Sequence, residues 1–466
     1  MSKNNLFKSA FIYSLGFLFI KGIGIITSPI YTRLLSTEQY GAVSVFYSWS
    51  SLFTLIIGLY TYGSIINAKS DFEESEYKNY ITSILALSSL SFFIFLIIII
   101  WNTSYVSKIL GFSNDLLLLL IVHSFINYIF NFMSTKLIYE GKRSKYLLVS
   151  FIQAISSAVL SIFLMSLMNE NRIIGRVIGD IIPLSIFAAG FVILCLYQSR
   201  MLYCKKYWKY ALNLSIPLIF SSLSNLLLAQ SDRIMMQHLL TEKSVGIYSF
   251  NYMIGDTFSF LRFGFINTWI PFYMNKHIQL DTIRKSSKVI LHCMTILTIG
   301  YFLTIPEVVK LLSTSAYWSG IVIISFVVIG QYFLFVADLM SVSFQKMKKN
   351  KIIAVVSIIA AVVNITLNLI FMKKFGIIVG ALTTLVSFIV MVVIYYCYMK
   401  AIKYEIPIKI NDLIVDVSMI IFFQFINLIF LDNFLIRYSL GLILGIYLVI
   451  YIMKNIKNLK EMKSGD

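Results

Sequence analysis

Apolar runs long enough to cross a membrane follow one another from end to end of this chain, and they restrict its fold more than any other feature. A run of about 20 apolar residues spans the hydrocarbon core of a bilayer as an α-helix. Charged residues make up only 13% of the 466 residues, whereas a soluble protein carries roughly twice that share. The sequence therefore predicts an all-α integral membrane protein.

Hydropathy predicts about 14 transmembrane helices, so both termini lie on the same side of the membrane. The predicted spans cover residues 9–31, 42–66, 81–101, 114–137, 147–168, 173–197, 211–236, 247–274, 287–307, 321–344, 352–372, 377–399, 412–431 and 434–453. With both termini in the cytoplasm, the connecting segments hold 27 basic residues inside and 8 outside. That asymmetry is the positive-inside bias of multi-pass proteins, and it explains the net charge of +18 without nucleic acid.

The segments between the spans are too short to form a soluble catalytic domain. The sequence contains neither a GxxxxGK[ST] phosphate loop nor an HExxH motif, so we expect no catalytic residue and no cofactor. The apolar run after MSKNNLFKSA is too long for the core of a signal peptide and is interpreted as a retained first span.

Cysteine and histidine give no sign of a metal site. The four cysteines form no CxxC pair and lie, on this topology, in or near the cytoplasmic leaflet, where thiols stay reduced. We therefore expect no metal site and no disulfide. The histidines are scattered, and each is interpreted as a polar residue near a helix end: His123, His238, His277 and His292.

An internal repeat relates two blocks of six predicted spans. The connection after span 1 reads LLSTEQYGAVSVFY (34–47), and the one after span 7 reads LLTEKSVGIYSFNY (239–252). Both blocks enter from the cytoplasm, which indicates a parallel repeat whose two lobes rock about a central cavity. The predicted domains are an N-lobe of spans 1–6 over residues 1–206, a C-lobe of spans 7–12 over residues 207–402, and a C-terminal helix pair, spans 13 and 14, with a basic cytoplasmic tail over residues 403–466.

Two segments resemble those of a transporter family. The run PIYTRLLSTEQYG (29–41) and the run SDRIMMQHLLTEKSVGIYSFNYMIGD (231–256) resemble the polysaccharide (O-antigen or capsule repeat-unit) flippases of the multidrug/oligosaccharidyl-lipid/polysaccharide exporter superfamily. The first is similar to the family's exit from span 1, Pro-x-x-Thr-Arg-x-Leu followed by Tyr-Gly. The second is similar to its exit from span 7, Asp-Arg followed by Gly-x-Tyr.

This resemblance implies a fold of two six-helix lobes and a function in surface polysaccharide synthesis. Such a flippase exports undecaprenyl-pyrophosphate-linked oligosaccharide repeat units for O-antigen, capsule or a related polymer, by alternating access and without ATP. It implies a bacterial inner (cytoplasmic) membrane, lipid surroundings, ion coupling as an antiporter, and a polysaccharide polymerase and chain-length regulator as partners.

Buried cations are the candidate functional residues. Besides the 35 basic residues counted with the connections and the adjoining span ends, four remain inside the predicted spans: Lys21, Arg176, Arg233 and Arg262. A charge at the bilayer centre costs about 3 kcal/mol on insertion scales, so it is expected to face a cavity or a charged partner. We hypothesise that Lys21, Arg233 and Arg262 line a cavity and contact the substrate pyrophosphate. Arg33 and Arg176 are expected to form its exit side.

Structural ion pairs are the alternative for these cations. Arg176 has Asp180 four residues on, and Arg233 has Asp256 within reach of a neighbouring span. Asp232, being adjacent to Arg233, is expected to point to a different face and to need a different partner.

Acids and aromatic residues complete the set of candidates. Four acids are candidates for coupling to protons or sodium, or for balancing charge: Asp180, Asp232, Asp256 and Asp338. Five aromatic residues are candidates for stacking on sugars, with lipid-facing interfacial positions as the alternative: Tyr31, Tyr47, Tyr248, Tyr252 and Trp269.

Three other functions were weighed against repeat-unit export. A lipid II-type flippase has the same architecture, and charge alone does not separate it. A drug/cation antiporter would need unpaired acids in its cavity, whereas the unpaired mid-span charge here is a base. A polytopic polysaccharide polymerase would carry a large external catalytic loop, and every external loop here is short.

Overall fold

Helices form the regular structure throughout the part of the chain that the computed structural model describes, which comprises residues 22–275, 277–431 and 433–455. This confirms the prediction of an all-α membrane protein. The chain divides into two compact units, Met1–Ile234 (unit 1) and Met235–Asp466 (unit 2), and the boundary falls inside the ninth helix. The domain limits predicted at residues 206 and 402 stay predictions.

Unit 1 contains the helices α1 to α9 within the described residues. They are α1 (22–34), α2 (Thr37–Ile57), α3 (Ile65–Asp71), α4 (Glu74–Trp101), α5 (Thr103–Leu110), α6 (Asn114–Tyr139), α7 (Arg143–Leu167), α8 (Arg172–Gln198) and α9 (Lys205–Leu239), the last of which crosses into unit 2. A short 3-10 turn, Thr61–Ser64, joins α2 to α3.

Unit 2 contains the helices α10 to α17. They are α10 (Glu242–Asp256), α11 (Ser259–Met274), α12 (Leu280–Leu312), α13 (Ile321–Lys346), α14 (Asn350–Phe375), α15 (Ile378–Ala401), α16 (Ile410–Ile429) and α17 (Phe434–Lys454). The buried helix α13 packs against α10, α11, α12 and α15, whereas α16 and α17 both pack against α12.

Twelve helices among the described residues are long and apolar enough to cross a membrane. Each coincides with one predicted span. The first predicted span, 9–31, lies mostly outside the described residues. The eighth, 247–274, was expected to be one continuous helix, and the structure instead divides it between α10 and α11.

The break between α10 and α11 is held by polar contacts inside unit 2. The Tyr301 hydroxyl on α12 donates to the Ile254 carbonyl at 2.6 Å and lies 2.6 Å from Thr257 Oγ1. Gln331 on α13 donates to Asp256 Oδ1 at 2.8 Å. These contacts satisfy polar groups at the point where the helix stops, which is the condition for interrupting a helix inside a membrane.

The second predicted span, 42–66, is also interrupted, because α2 ends at Ile57. Leu59 and Tyr60 follow with φ of 50° each, in the left-handed region that side chains usually avoid. Gly58 precedes them against the ring of Tyr128 on α6, where an added Cβ would lie 1.9 Å from Cδ2. Only glycine fits there, since the tyrosine ring occupies the space of any side chain.

The repeat recognised at an offset of 205 residues corresponds to matching helix starts. Ser36 caps α2 by accepting a hydrogen bond from the Gln39 amide, and Thr241 caps α10 by accepting one from the Ser244 amide. A hydroxyl at this position satisfies an amide that the first helical turn leaves unpaired. The hydroxyl shared by both repeats therefore sets where each helix begins.

A glycine contact brings α7 and α8 together in unit 1. A Cβ on Gly179 would lie 2.4 Å from Ser161 Cα, so the two backbones meet without side chains between them, as at many helix contacts in membranes. Because the helices are this close, Ser161 Oγ on α7 donates a hydrogen bond of 3.1 Å to the Arg176 carbonyl on α8. The close approach positions Arg176 beside α7.

Candidate functional site

Lys21 lies outside the described residues, and Arg33 on α1 is the first candidate cation within them. Arg33 is exposed, and its Nη1 donates to the Pro29 carbonyl one turn earlier, at 2.7 Å. This hydrogen bond holds the guanidinium along α1. The pyrophosphate role assigned to Lys21 and the exit-side role assigned to Arg33 stay predictions.

Arg176 on α8 lies between two tyrosine rings. Its guanidinium carbon is 4.8 Å from the centre of the Tyr31 ring and 5.2 Å from that of Tyr47. Its Nη1 also donates to Ser161 Oγ at 2.9 Å. A guanidinium is weakly hydrated and stacks on aromatic faces, which stabilises the cation away from water. Two of the proposed sugar-stacking residues therefore contact an arginine.

Asp180 on α8 is bound by a histidine rather than by Arg176. His123 Nε2 lies 3.1 Å from Asp180 Oδ2, and His123 Nδ1 lies 2.6 Å from Ser50 Oγ on α2. The expected Arg176–Asp180 ion pair is not formed within 4 Å among the described residues. Arg176 instead donates to Ser161 and lies against the rings of Tyr31 and Tyr47.

His123 is the functional candidate that the sequence analysis missed. It was expected near a helix end, but it lies in the middle of α6 and is only 3% exposed. The rings of Phe46 and Tyr47 pack edge-on against the imidazole, with centroids 5.6 and 5.5 Å away. The prediction was wrong because the imidazole finds polar partners on α2 and α8. Its position ten residues into the span predicted at 114–137 was the available signal.

These residues form one polar cluster inside unit 1. It joins five helices through the side chains of Tyr31, Tyr47, Ser50, His123, Ser161, Arg176 and Asp180. The cluster contains a cation, a carboxylate and an imidazole in a unit built of apolar helices. Such a set can hold an anionic group through the guanidinium and can bind or release a proton through the imidazole and carboxylate.

Asp232 and Arg233 interact with each other, which corrects the expectation that they need different partners. Arg233 Nη1 lies 3.3 Å from Asp232 Oδ1 and donates to the Ala229 carbonyl at 2.8 Å. The long arginine side chain folds back along α9, so adjacent positions on a helix do meet. Gln230 on the same turn accepts from Ser48 on α2 at 3.0 Å.

In unit 2, a cation and an acid from the two candidate groups are paired. Arg262 Nη1 on α11 donates to Asp338 Oδ2 on α13. The Arg262 guanidinium also lies 4.5 Å from the centre of the Phe263 ring. Arg262 was expected to contact the pyrophosphate, and Asp338 was expected to couple ions or balance charge. The structure pairs the two residues with each other. Asp256 accepts from Gln331 beside the helix break.

Three of the proposed stacking residues are packed inside unit 2. Tyr248 and Trp269 have no exposed surface, and Tyr252 is 8% exposed. The Trp269 indole donates to the Leu339 carbonyl at 3.3 Å. In this conformation these three rings fill the interior of the unit, so their proposed contact with sugars is not supported.

Two further polar links in unit 2 were not predicted. His292 on α12 bonds Asp416 on α16 at 2.8 Å and Tyr447 on α17 at 3.1 Å. Arg437, in the first turn of α17, is only 1% exposed and bonds both carboxylate oxygens of Glu307. Hydropathy does not predict these pairs, because it is averaged over neighbouring residues in the sequence and the partner lies on another helix.

Within the described residues, no group of three His, Cys, Asp or Glu side chains could hold a metal ion. All four cysteines are free.

Comparison with known sequences points to polysaccharide synthesis. A family described as polysaccharide biosynthesis protein matches residues 6–277 of this chain. A Haemophilus influenzae protein named after the Lsg locus is 25% identical over 251 residues, which cover 52% of this chain and 60% of that relative. The match thus spans less than two thirds of the relative's length.

Comparison with solved structures identifies the fold. The lipid II flippase MurJ in an inward closed conformation superposes with a TM-score of 0.75 at 16% identity, covering 96% of this chain and all of MurJ. An inward-facing multidrug resistance transporter of the MATE family gives a TM-score of 0.63 at 15% identity, covering 84% of this chain and 98% of that transporter. At these identities the likeness is one of fold.

Proposed function

Because the chain belongs to the polysaccharide biosynthesis protein family, we propose that it is a flippase for undecaprenyl-pyrophosphate-linked oligosaccharide repeat units. It moves them from the cytoplasmic to the outer leaflet of the bacterial inner membrane, for O-antigen, capsule or a related surface polymer. The cycle is alternating access without ATP, and the protein is a transporter rather than an enzyme. A polysaccharide polymerase and its chain-length regulator would take up the product.

The observation that carries this proposal is Arg176 stacked between two tyrosines. Arg176 donates to Ser161 and makes no ion pair within 4 Å among the described residues. Its charge is stabilised by the faces of Tyr31 and Tyr47, which leaves guanidinium N–H groups available to phosphate oxygens. Arginine matches phosphate geometry with two parallel hydrogen bonds.

We propose that acids of the two units either balance the charge of the buried cations or couple transport to the movement of an ion. Asp180 is bound to His123, and Asp338 is bound to Arg262. An acid–base pair inside a membrane unit changes its net charge when it binds a proton, and that change alters the cost of exposing it to either side. We assign coupling first to the His123–Asp180 pair, because its imidazole connects α2, α6 and α8 through Ser50 and Asp180.

The test is complementation of a deletion strain, scored by surface polysaccharide. Arg176→Ala is expected to abolish the polymer, and Arg176→Lys is expected to restore it in part because a single charge remains. Arg143→Ala, on an exposed residue at the start of α7, is the matched control and is expected to behave as wild type. Membrane abundance of each variant is measured by immunoblot. Full rescue by Arg176→Ala at normal abundance would contradict the proposal.

A lipid II flippase is the second candidate, favoured by the TM-score of 0.75 to MurJ. Both substrates present a pyrophosphate, so the cation argument applies equally to them. Purified protein in vesicles decides between the two candidates, with lipid II in one set and a lipid-linked repeat unit in the other. Transport of lipid II alone would replace the repeat-unit proposal with this one.

A further inference from the structure

The ends of α13 and α15 in unit 2 carry a dense group of lysines. We call this group the lysine face, and it consists of Lys348, Lys349, Lys351, Lys400 and Lys403. All five are exposed. The charge bias of the loops assigns this end of the unit to the cytoplasm. The lysine face therefore lies where the helices meet the lipid headgroups of the inner leaflet.

Aromatic contacts show that the two loops are neighbours. The Phe344 ring at the end of α13 lies 5.7 Å from the ring of Tyr398 on α15. Lys349 Nζ lies 5.7 Å from the centre of the same Tyr398 ring. Lys400 follows two positions later, so the cations of both loops belong to one patch.

Two of these lysines occupy a backbone conformation that favours glycine. Lys348 has φ of 59° and Lys403 has φ of 54°. In each turn the next amide reaches back across the helix end, from Lys349 to the Phe344 carbonyl and from Tyr404 to the Met399 carbonyl. Helices that end this way usually place glycine at the left-handed position.

The end of α6 in unit 1 makes the same turn with glycine. Gly141 has φ of 75°, and the Lys142 amide reaches the Leu137 carbonyl at 2.8 Å. The turns at Lys348 and Lys403 thus keep a side chain where its backbone conformation is unfavourable. At these two positions lysine supplies a positive charge, which glycine would not.

None of the five lysines forms an ion pair with a carboxylate of residues 22–275, 277–431 or 433–455. Their charge is therefore available to a ligand. We propose that the lysine face binds the phosphate headgroup of anionic phospholipids in the cytoplasmic leaflet. Lysine is a compact charge on a flexible stem that reaches headgroup phosphates, and each lysine near such a surface strengthens binding roughly fivefold. This goes beyond transport and does not depend on which substrate is moved.

Native mass spectrometry of the purified full chain tests this proposal. The protein is incubated with phosphatidylglycerol or with phosphatidylcholine, and retained lipids are counted. The wild type is expected to retain phosphatidylglycerol in preference. The variant Lys348→Gly/Lys403→Gly is expected to bind it on the order of 20-fold more weakly. The control Lys373→Gln/Lys374→Gln removes the same charge at the opposite end of α14, where both lysines are exposed, and is expected to retain it.

The glycine variant also separates lipid binding from a structural role of the lysines. If the lysines serve only to stabilise their helix ends, Tm in neutral detergent falls and retention matches the control. If they bind lipid, Tm in neutral detergent is unchanged or higher, because glycine relieves the backbone, while retention is lost. Equal retention by the glycine variant and the control would overturn the proposal. Release of the lipid by micromolar free pyrophosphate would overturn the assignment to phospholipid.

Discussion

His123 Nε2 on α6 lies 3.1 Å from Asp180 Oδ2 on α8, and the other ring nitrogen lies 2.6 Å from Ser50 Oγ on α2. One imidazole thus connects three helices of unit 1 through groups that can each exchange a proton. Arg176, one turn earlier on α8, donates to Ser161 instead.

Replacing His123 by Gln is expected to keep the hydrogen bonds to Ser50 and Asp180 but to remove the titrating ring. Transport by His123→Gln should therefore persist and lose its dependence on pH. The measurement is lipid-linked substrate export in vesicles at several external pH values. A pH profile identical to that of the wild type would exclude His123 as the coupling group. The control His238→Gln removes a histidine at the end of α9 and should leave the profile unchanged.

Removing one partner of the Arg262–Asp338 pair is expected to cost more than removing both. Asp338→Asn leaves the guanidinium, which is only 11% exposed, without its carboxylate. Breaking a buried pair in this way typically costs about 3–5 kcal/mol. The double variant Arg262→Gln/Asp338→Asn should be the more stable of the two. Thermal unfolding in detergent measures this, and additive losses would show that the pair is not coupled.

Gly58→Ala should destabilise unit 1 by about 1–3 kcal/mol, the range for overpacked sites. The new methyl would meet the Tyr128 ring, which is itself bound to Ser88 at 2.7 Å and cannot turn aside freely. Gly190→Ala on α8 is the matched control, since nothing lies within 4 Å of its added Cβ. That variant should raise Tm slightly, because alanine is the better helix former. Equal Tm values would contradict the steric argument.

Lowering the pH should destabilise the end of α6, because it protonates Glu140. Burial raises the pKa of this carboxyl, but hydrogen bonds from Lys136 and Lys142 outweigh it and hold the pKa below its usual 4.5. A lowered pKa contributes stability above the unfolded value of 4.5, and that contribution is lost as pH falls through the folded pKa. Glu140→Gln should therefore flatten the decline in Tm below pH 4.5, and an unchanged decline would contradict this role.

Lys21, in the first predicted span, is the remaining candidate for contact with the substrate pyrophosphate. If it contacts the substrate pyrophosphate, Lys21→Ala should abolish surface polymer at normal expression, and Lys21→Arg should restore it in part. Complementation of the deletion strain measures both. Full rescue by Lys21→Ala would remove it from the substrate site.

The spans could be predicted because hydrophobicity is a local property, and each of the twelve described spans shows in its own window. The interruptions at Gly58 and Thr257 could not, since they depend on Tyr128 and Tyr301 from other helices. The partners of the buried acids could not be predicted for the same reason. Asp180 met His123 rather than Arg176, and Asp338 met Arg262, because distant helices decide which polar groups meet.

The burial of Arg437 has a consequence for how the protein is made. Arg437 on α17 neutralises Glu307 on α12, and 130 residues separate the two in sequence. During synthesis α12 enters the membrane before its counter-charge exists. Until α17 is made, Glu307 lacks this partner. A nascent chain that stops before Phe434 would therefore leave the acid uncompensated.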